Sequence, residues 1–116
     1  MEFIEAPAFT QYLSNYLDDD EYRALQKYLR LAPDAGDLIP GTGGFRKIRW
    51  ADKRRGKGRR GGLRVIYYHF AAGHQIWLVT LYGKNEAADL TPGEKKALRL
   101  AIEDECRARE NARRRR

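Results

Sequence analysis

The sequence has few of the residues from which disulfides, metal centres and membrane spans are built. Cys106 is the single cysteine among 116 residues, which excludes an internal disulfide and a metal site made of several thiolates. No stretch approaches the roughly 18 consecutive apolar residues of a membrane-spanning helix. The first ten residues carry acids and a proline instead of the pattern of a signal peptide. We therefore expect one cytoplasmic domain that uses no metal and no cofactor.

Positive charge is abundant and concentrated in one stretch. The chain has 23 Lys and Arg against 16 Asp and Glu, a net charge of +7. Residues 1–45 hold eight acids and three bases, whereas residues 46–64 hold ten bases and the single acid Asp52. A focused field of this kind indicates a binding site for a polyanion such as nucleic acid, since a general basic coat would spread its cations more widely.

Hydrophobic periodicity predicts an α+β fold, in which an N-terminal helical hairpin packs on an antiparallel β-sheet and a helix closes the chain. Asp18 with Glu21, and Thr91 with Glu94, have the spacing of capping boxes at helix starts. The other predicted segments are an edge strand at 2–5, a helix from Pro7, connecting chain at 33–44, strands at 45–50, 63–70 and 75–82, and a turn at 71–74. We expect a single domain over residues 1–112 and a frayed Arg-rich tail at 113–116.

The strand at 75–82 is apolar on both faces, which predicts a central strand covered by helices. Strict alternation places two sets of side chains on opposite faces. The sets are Trp77, Val79 and Leu81 on one face, and Ile76, Leu78, Thr80 and Tyr82 on the other.

Three predicted strands contribute candidate catalytic residues. Lys47 and Arg49 are two residues apart and share a face, Arg64 opens the next strand, and Tyr82 and Lys84 share a face at the end of the third. We expect these groups to line one concave surface. Such a set can cleave RNA without a metal. A 2′-hydroxyl attacks the adjacent phosphorus, guanidinium and ammonium groups stabilise the added negative charge, and Lys, Arg or Tyr protonates the leaving oxygen.

A Gly-rich loop joins the first two of these strands. Its cations favour a strip that follows a phosphate backbone over an active site, because no regular structure fixes their positions. They are Lys53, Arg54, Arg55, Lys57, Arg59 and Arg60. Arg46 is a further candidate for RNA binding, and Tyr68 for stacking on a base. His69 and His74 are weaker candidates for acid–base catalysis, since His74 lies in the predicted turn.

Three motifs together resemble a known family. They are GTGGFRKIR from Gly41, GKGRRGGLRVIYY from Gly56 and LYGKNEAADLT from Leu81. The chain resembles, over nearly its whole length, the HigB-type branch of the RelE/ParE superfamily of bacterial toxins. The resemblance implies a small RelE-like fold and a ribosome-dependent mRNA interferase, the toxin of a type II toxin–antitoxin system. It implies as partners the ribosome with its mRNA and a cognate antitoxin, usually with a HigA-like helix-turn-helix domain.

Residue by residue, the resemblance assigns Lys47 and Arg49 to the paired basic positions of the family, Arg64 to the basic position of the next strand and Lys84 to the one after the last strand. The chain also departs from the pattern. Asn85 stands where some of these toxins have arginine, and no tyrosine follows Tyr82, although those toxins use a C-terminal tyrosine as acid or base. Two alternatives stay open: a ParE-like toxin that poisons DNA gyrase, and an RNA-binding module without catalysis.

Overall fold

Three helices and five strands are formed by the residues that the computed structural model describes, which are 1–52, 62–84 and 90–115. In chain order they are β1 (Glu2–Glu5), α1 (Pro7–Tyr16), α2 (Asp19–Leu31), β2 (Asp37–Leu38), β3 (Arg46–Trp50), β4 (Leu63–Phe70), β5 (Gln75–Gly83) and α3 (Pro92–Arg114). The strands make one sheet in the order β1-β5-β4-β3-β2. The α+β class is therefore confirmed, and the arrangement is compatible with a small RelE-like fold.

The sheet differs from the prediction at both edges. β1 is an edge strand as predicted, but it runs parallel to β5, so the sheet is mixed instead of antiparallel throughout. At the other edge, β2 pairs antiparallel with β3 through only two residues, Asp37 and Leu38. We predicted connecting chain there, because two residues are too short to show a period.

Local sequence signals set the starts of α2 and α3. The Asp18 carboxylate accepts a hydrogen bond from the Glu21 backbone N–H, and the Glu21 side chain accepts one from the Asp18 N–H. Thr91 and Glu94 form the same reciprocal pair. Both predicted capping boxes are confirmed, and each satisfies backbone donors that a helix start leaves without partners.

The two faces of the sheet pack against different helices. The face that we call the hairpin face packs on α1 and α2, with Phe9, Leu25 and Leu29 fully buried against the strands. Its strand residues are Ile48, Leu63, Val65, Tyr67, Ile76, Leu78 and Leu81. The opposite face, the α3 face, carries Ile66, Phe70, Trp77, Val79 and Tyr82 together with Phe45, and it packs on Leu98 and Ile102 of α3.

A β-bulge in β5 overturns the predicted alternation of that strand. Ile66 of β4 pairs with Thr80, and the next residue, Tyr67, pairs with Leu78, so Val79 is left over. One extra residue shifts the inside–outside alternation by one position. Leu81 consequently joins Ile76 and Leu78 on the hairpin face, and Tyr82 lies on the α3 face with Trp77 and Val79. The predicted grouping of Leu81 with Trp77, and of Tyr82 with Ile76, is wrong.

The last helix extends further than predicted. α3 continues to Arg114, so the first two residues of the expected frayed tail are helical and exposed. Glu110 forms ion pairs with Arg113 and Arg114, three and four residues on, which is the spacing at which side chains meet on a helix. Among the described residues, no helix is long and apolar enough to cross a membrane.

Candidate functional site

Three of the predicted site residues form one row across the sheet. Arg49 of β3 lies opposite Arg64 of β4, and Arg64 lies opposite Tyr82 of β5. Residues directly opposite each other in antiparallel strands have their side chains on the same face, with Cβ atoms about 4.5–5.5 Å apart. The bulge at Val79 is what turns Tyr82 toward this face. The row therefore depends on a feature that the sequence pattern did not reveal.

The row lies beside a cleft of about 240 Å³ between the α3 face of the sheet, the segment around β2 and the start of α3. Lys47, Arg49 and Tyr82 line it, as predicted for one concave surface. The other lining residues are Asp37, Leu38, Ile39, Pro40, Ile66, Leu90 and Lys95. Apolar walls with a few charged groups are typical of ligand sites, because they exclude water around the groups that bind.

Lys95 is a cleft residue that the sequence analysis missed. It lies one residue beyond the capping box of α3, and its backbone N–H donates to the Thr91 carbonyl over 2.9 Å. Cations are disfavoured near the N-terminus of a helix, where the macrodipole is positive. Two lysines in succession, Lys95 and Lys96, at this helix start are therefore a signal that could have drawn attention to the position. With Lys47 and Arg49, Lys95 gives the cleft three cations from two sides.

Arg64 sits below the surface of the row. Its exposed fraction is only 8%, and one guanidinium nitrogen donates to its own strand's Leu63 carbonyl over 3.2 Å. A charge is costly to bury without partners, so the surroundings must hold this guanidinium, which adds positive charge behind the row. Arg64 contributes positive charge to the row from a buried position, whereas the exposed side chain of Arg49 can contact a ligand directly.

The wall of the cleft around β2 is held by side chains of the hairpin face. The Tyr67 hydroxyl donates to the Pro33 carbonyl over 2.8 Å and accepts from the Gly36 N–H over 2.9 Å. Burial raises the pKa of this hydroxyl. An Arg46 guanidinium nitrogen donates to the carbonyls of Asp34 and Gly36 over 3.1 and 2.8 Å. These bonds fix the residues that precede Asp37.

The side chain of Asp34, in the same segment before β2, makes further contacts with the sheet. His69 Nδ1 lies 2.9 Å from Asp34 Oδ1, and the Arg46 Nε lies 3.6 Å from that oxygen. The hydrogen bond with His69, helped by the Arg46 charge, lowers the pKa of the Asp34 carboxyl. Both groups sit beside the hairpin face, outside the residues that line the cleft. The position of His69 thus fits a structural role.

A glycine turn positions the next part of the wall, residues 39–45. Gly43 and Gly44 have φ angles of +78° and +119°, which favour glycine, and a Cβ on Gly43 would lie 3.0 Å from Ile102 of α3. The buried Thr42 hydroxyl donates to the Ile39 carbonyl and accepts from the Phe45 N–H. The turn therefore brings Ile39 and Pro40 against the start of α3, where they line the cleft.

Several predicted RNA-binding residues lie elsewhere. Arg46 is engaged with the 34–36 segment on the opposite side of β3 from Lys47. Tyr68 is half-buried in an aromatic cluster, with its ring centroid 5.2 Å from that of Phe45 and 4.6 Å from that of Phe70, and it does not line the cleft. Lys84 is exposed just after β5, and its N–H donates to the Gly62 carbonyl; it does not line the cleft. The loop cations Lys53, Arg54, Arg55, Lys57, Arg59 and Arg60 lie outside the described residues.

The remaining chemistry-bearing groups are dispersed. His74 lies in the turn before β5, as predicted, with a φ of +50°. Cys106 is an exposed free thiol on α3. Within residues 1–52, 62–84 and 90–115, no three His, Cys, Asp or Glu side chains are grouped so that they could hold a metal ion.

A comparison of the chain with models of known protein families finds no match. Among the described residues, three cations, one tyrosine and one carboxylate line a cleft that has a buried guanidinium beside it. This arrangement can bind a phosphodiester and stabilise negative charge that develops on it.

Proposed function

We propose that this protein is the toxin of a type II toxin–antitoxin system, a ribosome-dependent mRNA interferase that works in the cytoplasm. The observation that carries the proposal is the cleft with Lys47, Arg49, Tyr82 and Lys95 beside buried Arg64. The resemblance of the three sequence motifs to HigB-type toxins supplies the substrate, mRNA in the decoding site. The substrate requires a basic cleft, since a phosphodiester is recognised through its charge.

The proposed reaction is an internal transesterification of RNA. The 2′-oxygen attacks the adjacent phosphorus, the bond to the 5′-oxygen breaks, and the products are a 2′,3′-cyclic phosphate and a 5′-hydroxyl. Arg49 binds the phosphate through its planar fork, and Lys47 and Lys95 add charge from the sheet and from α3. The positive potential of Arg64 stabilises the extra negative charge of the phosphorane. We assign the protonation of the leaving 5′-oxygen to Tyr82, whose buried hydroxyl must become accessible when RNA binds.

A small domain with an open cleft needs help to orient a flexible RNA strand. The ribosome supplies this by holding mRNA in a fixed path, so catalysis by positioning is shared between ribosome and toxin. The loop cations at 53–60 are proposed to dock on ribosomal RNA. A helix-turn-helix antitoxin is the proposed partner that neutralises the protein.

The first experiment is primer extension on a defined mRNA, with purified protein, with and without programmed ribosomes. The proposal predicts cuts within the decoding-site codon only when ribosomes are present. Cuts on naked RNA would indicate a ribosome-independent nuclease. Growth arrest without cuts in either lane would favour gyrase poisoning or passive blocking of the ribosome and would contradict the proposal.

Arg49→Ala tests the cleft directly. We expect single-turnover cleavage to fall by about 10²-fold or more, because a charge-assisted contact to the developing phosphorane is lost. Arg23→Ala is the matched control: the Arg23 side chain is 77% exposed on α2 and pairs only weakly with Asp20. Equal rates for the two variants, with both folded, would remove Arg49 from the reaction.

A further inference from the structure

The charged groups of the cleft differ in whether they donate or accept a proton in a hydrogen bond. Lysine and arginine side chains are hydrogen-bond donors only, whereas a carboxylate only accepts. Among the described residues that line the cleft, the charged donors are Lys47, Arg49 and Lys95, and Asp37 is the only carboxylate. The Tyr82 hydroxyl can act either way. The proposed attack needs a proton acceptor for the 2′-hydroxyl, and Asp37 supplies a carboxylate among the described lining residues.

Asp37 is directed into the cleft by the register of β2. It lies opposite Lys47 in the antiparallel pair, so the two side chains share the α3 face of the sheet with Cβ atoms about 4.5–5.5 Å apart. A phosphodiester held by the Lys47 ammonium would therefore have a carboxylate at its side. Asp37 is exposed, so a proton that it accepts can pass to solvent.

The position of Asp37 is fixed, although β2 has only two residues. The preceding segment is tied to the sheet by Arg46 and Tyr67, each through two hydrogen bonds. The residue that follows β2, Ile39, donates its N–H to the Phe45 carbonyl over 2.9 Å. A general base must be held within hydrogen-bond reach of the proton that it takes, and these bonds on both sides provide that order.

We propose that Asp37 is the general base of the reaction, an inference that rests on the proposed function. The Asp37 carboxylate takes the proton of the 2′-hydroxyl while the 2′-oxygen forms its bond to phosphorus. The bond from phosphorus to the 5′-oxygen breaks, and the electron pair leaves with that oxygen, which receives a proton from Tyr82. Water then carries the proton away from Asp37 and returns one to Tyr82. Asp37, on β2, is thus paired in function with a donor on β5.

The test is Asp37→Asn, which keeps the shape of the side chain but replaces a carboxylate oxygen by an amide nitrogen that cannot act as a base. We expect single-turnover cleavage on programmed ribosomes at saturating protein to fall by about 10²- to 10⁴-fold. The protein concentration that gives half-saturation should stay unchanged. Asp20→Asn, which removes an exposed carboxylate from α2, is the matched control and should cleave at the wild-type rate. Circular dichroism of both variants verifies the fold.

A second substrate separates a base from an acid. In an mRNA whose scissile linkage carries a bridging 5′-sulfur, the thiolate leaves without needing a proton. The Asp37→Asn defect should persist on this substrate, whereas a Tyr82→Phe defect should disappear. Rescue of Asp37→Asn by sulfur, a wild-type rate on the normal substrate, or a loss confined to binding would each overturn the assignment of Asp37. Failure of the wild-type protein to cut either mRNA would instead refute the proposed function itself.

Discussion

The two faces of the sheet use the same strands for different purposes. On the hairpin face, the inward-facing strand residues, among them Ile48, Val65 and Leu81, are covered by α1 and α2 and are almost wholly buried. On the α3 face, one helix covers the part of the sheet around Phe70, where Ile102 of α3 packs. The start of this helix leaves the cleft open beside Lys47 and Arg49. Two helices close a face, and one helix leaves room for a site.

Because the two faces differ in this way, alternate residues of one strand contribute to stability and to activity. In β3, Ile48 points to the core while its neighbours Lys47 and Arg49 point to the cleft. Alternation thus lets one five-residue strand serve both purposes. The comparison holds only if changes on the hairpin face alter stability and changes on the α3 face alter activity, and four experiments probe it.

The largest effect is expected from Leu25→Ala on the hairpin face. Leu25 is fully buried, so the change should lower the free energy of unfolding by about 2–5 kcal/mol through lost burial and a cavity. Leu31→Ala on the same helix is the control, because Leu31 is 77% exposed. Urea denaturation measures both. A Leu25→Ala protein that is stable but inactive would break the separation of the two faces.

Tyr67→Phe tests a group that belongs to the hairpin face but supports the cleft wall. The change removes the hydroxyl that joins Pro33 and Gly36 and leaves a buried N–H without its partner. We expect a loss of about 1–3 kcal/mol in the free energy of unfolding. Tyr12→Phe, which removes an exposed hydroxyl from α1, should have no effect. Equal stability of the two variants would show that the 33–36 segment does not depend on Tyr67.

Lys95→Ala tests the contribution of α3 to the open face. Loss of one phosphate contact should weaken ribosome-dependent cleavage about tenfold at subsaturating protein and reduce the slope of log activity against log salt by about one. Lys96→Ala is the matched control, since Lys96 is the next residue and does not line the cleft. The same loss in both variants would mean that α3 contributes general charge instead of a contact.

The smallest effect concerns pH. The folded-state pKa of Asp34 lies below its ordinary value of 3.8, chiefly because of the hydrogen bond with His69. A depressed carboxyl pKa contributes stability that is fully present above that ordinary value and is lost as the pH falls through the folded-state value. The stability of wild type should therefore fall more steeply below pH 4 than that of Asp34→Asn. Thermal melts at pH 6 and pH 3 measure this, and parallel losses would contradict it.

Local patterns predicted most of the fold. The capping boxes at Asp18 and Thr91 and the strand at 63–70 depend on neighbouring residues, so the sequence contains the whole signal. β2 was missed because two residues carry no period, and the bulge was missed because it depends on how β5 meets β4. These features are decided by tertiary pairing, which a single sequence does not display.

The site was predicted in part for the same reason. Lys47 and Arg49 line the cleft as expected, because strand alternation places them on one face. Tyr82 also lines the cleft, but it reaches that face through the bulge in β5, which alternation did not predict. Asp37 and Lys95 were missed, since each comes to the cleft from a segment that lies outside the three long strands. Tyr68 was expected on the surface, but Phe45 and Phe70 enclose its ring.

Val79, the extra residue of the bulge in β5, reverses the alternation of side chains along the strand. Before Val79, the even-numbered residues Ile76 and Leu78 lie on the hairpin face, whereas after it the odd-numbered Leu81 does. The two halves of β5 therefore alternate in opposite phase. Deleting Val79 would remove only the extra residue and leave Thr80, Leu81 and Tyr82 opposite their present partners. If β5 instead paired with β4 without a bulge, Leu81 would lie opposite Arg64 and face the cleft, and Tyr82 would lie opposite Leu63 and enter the hydrophobic interior. A slip of one residue in the pairing would thus remove Tyr82 from the site with no change in the sequence.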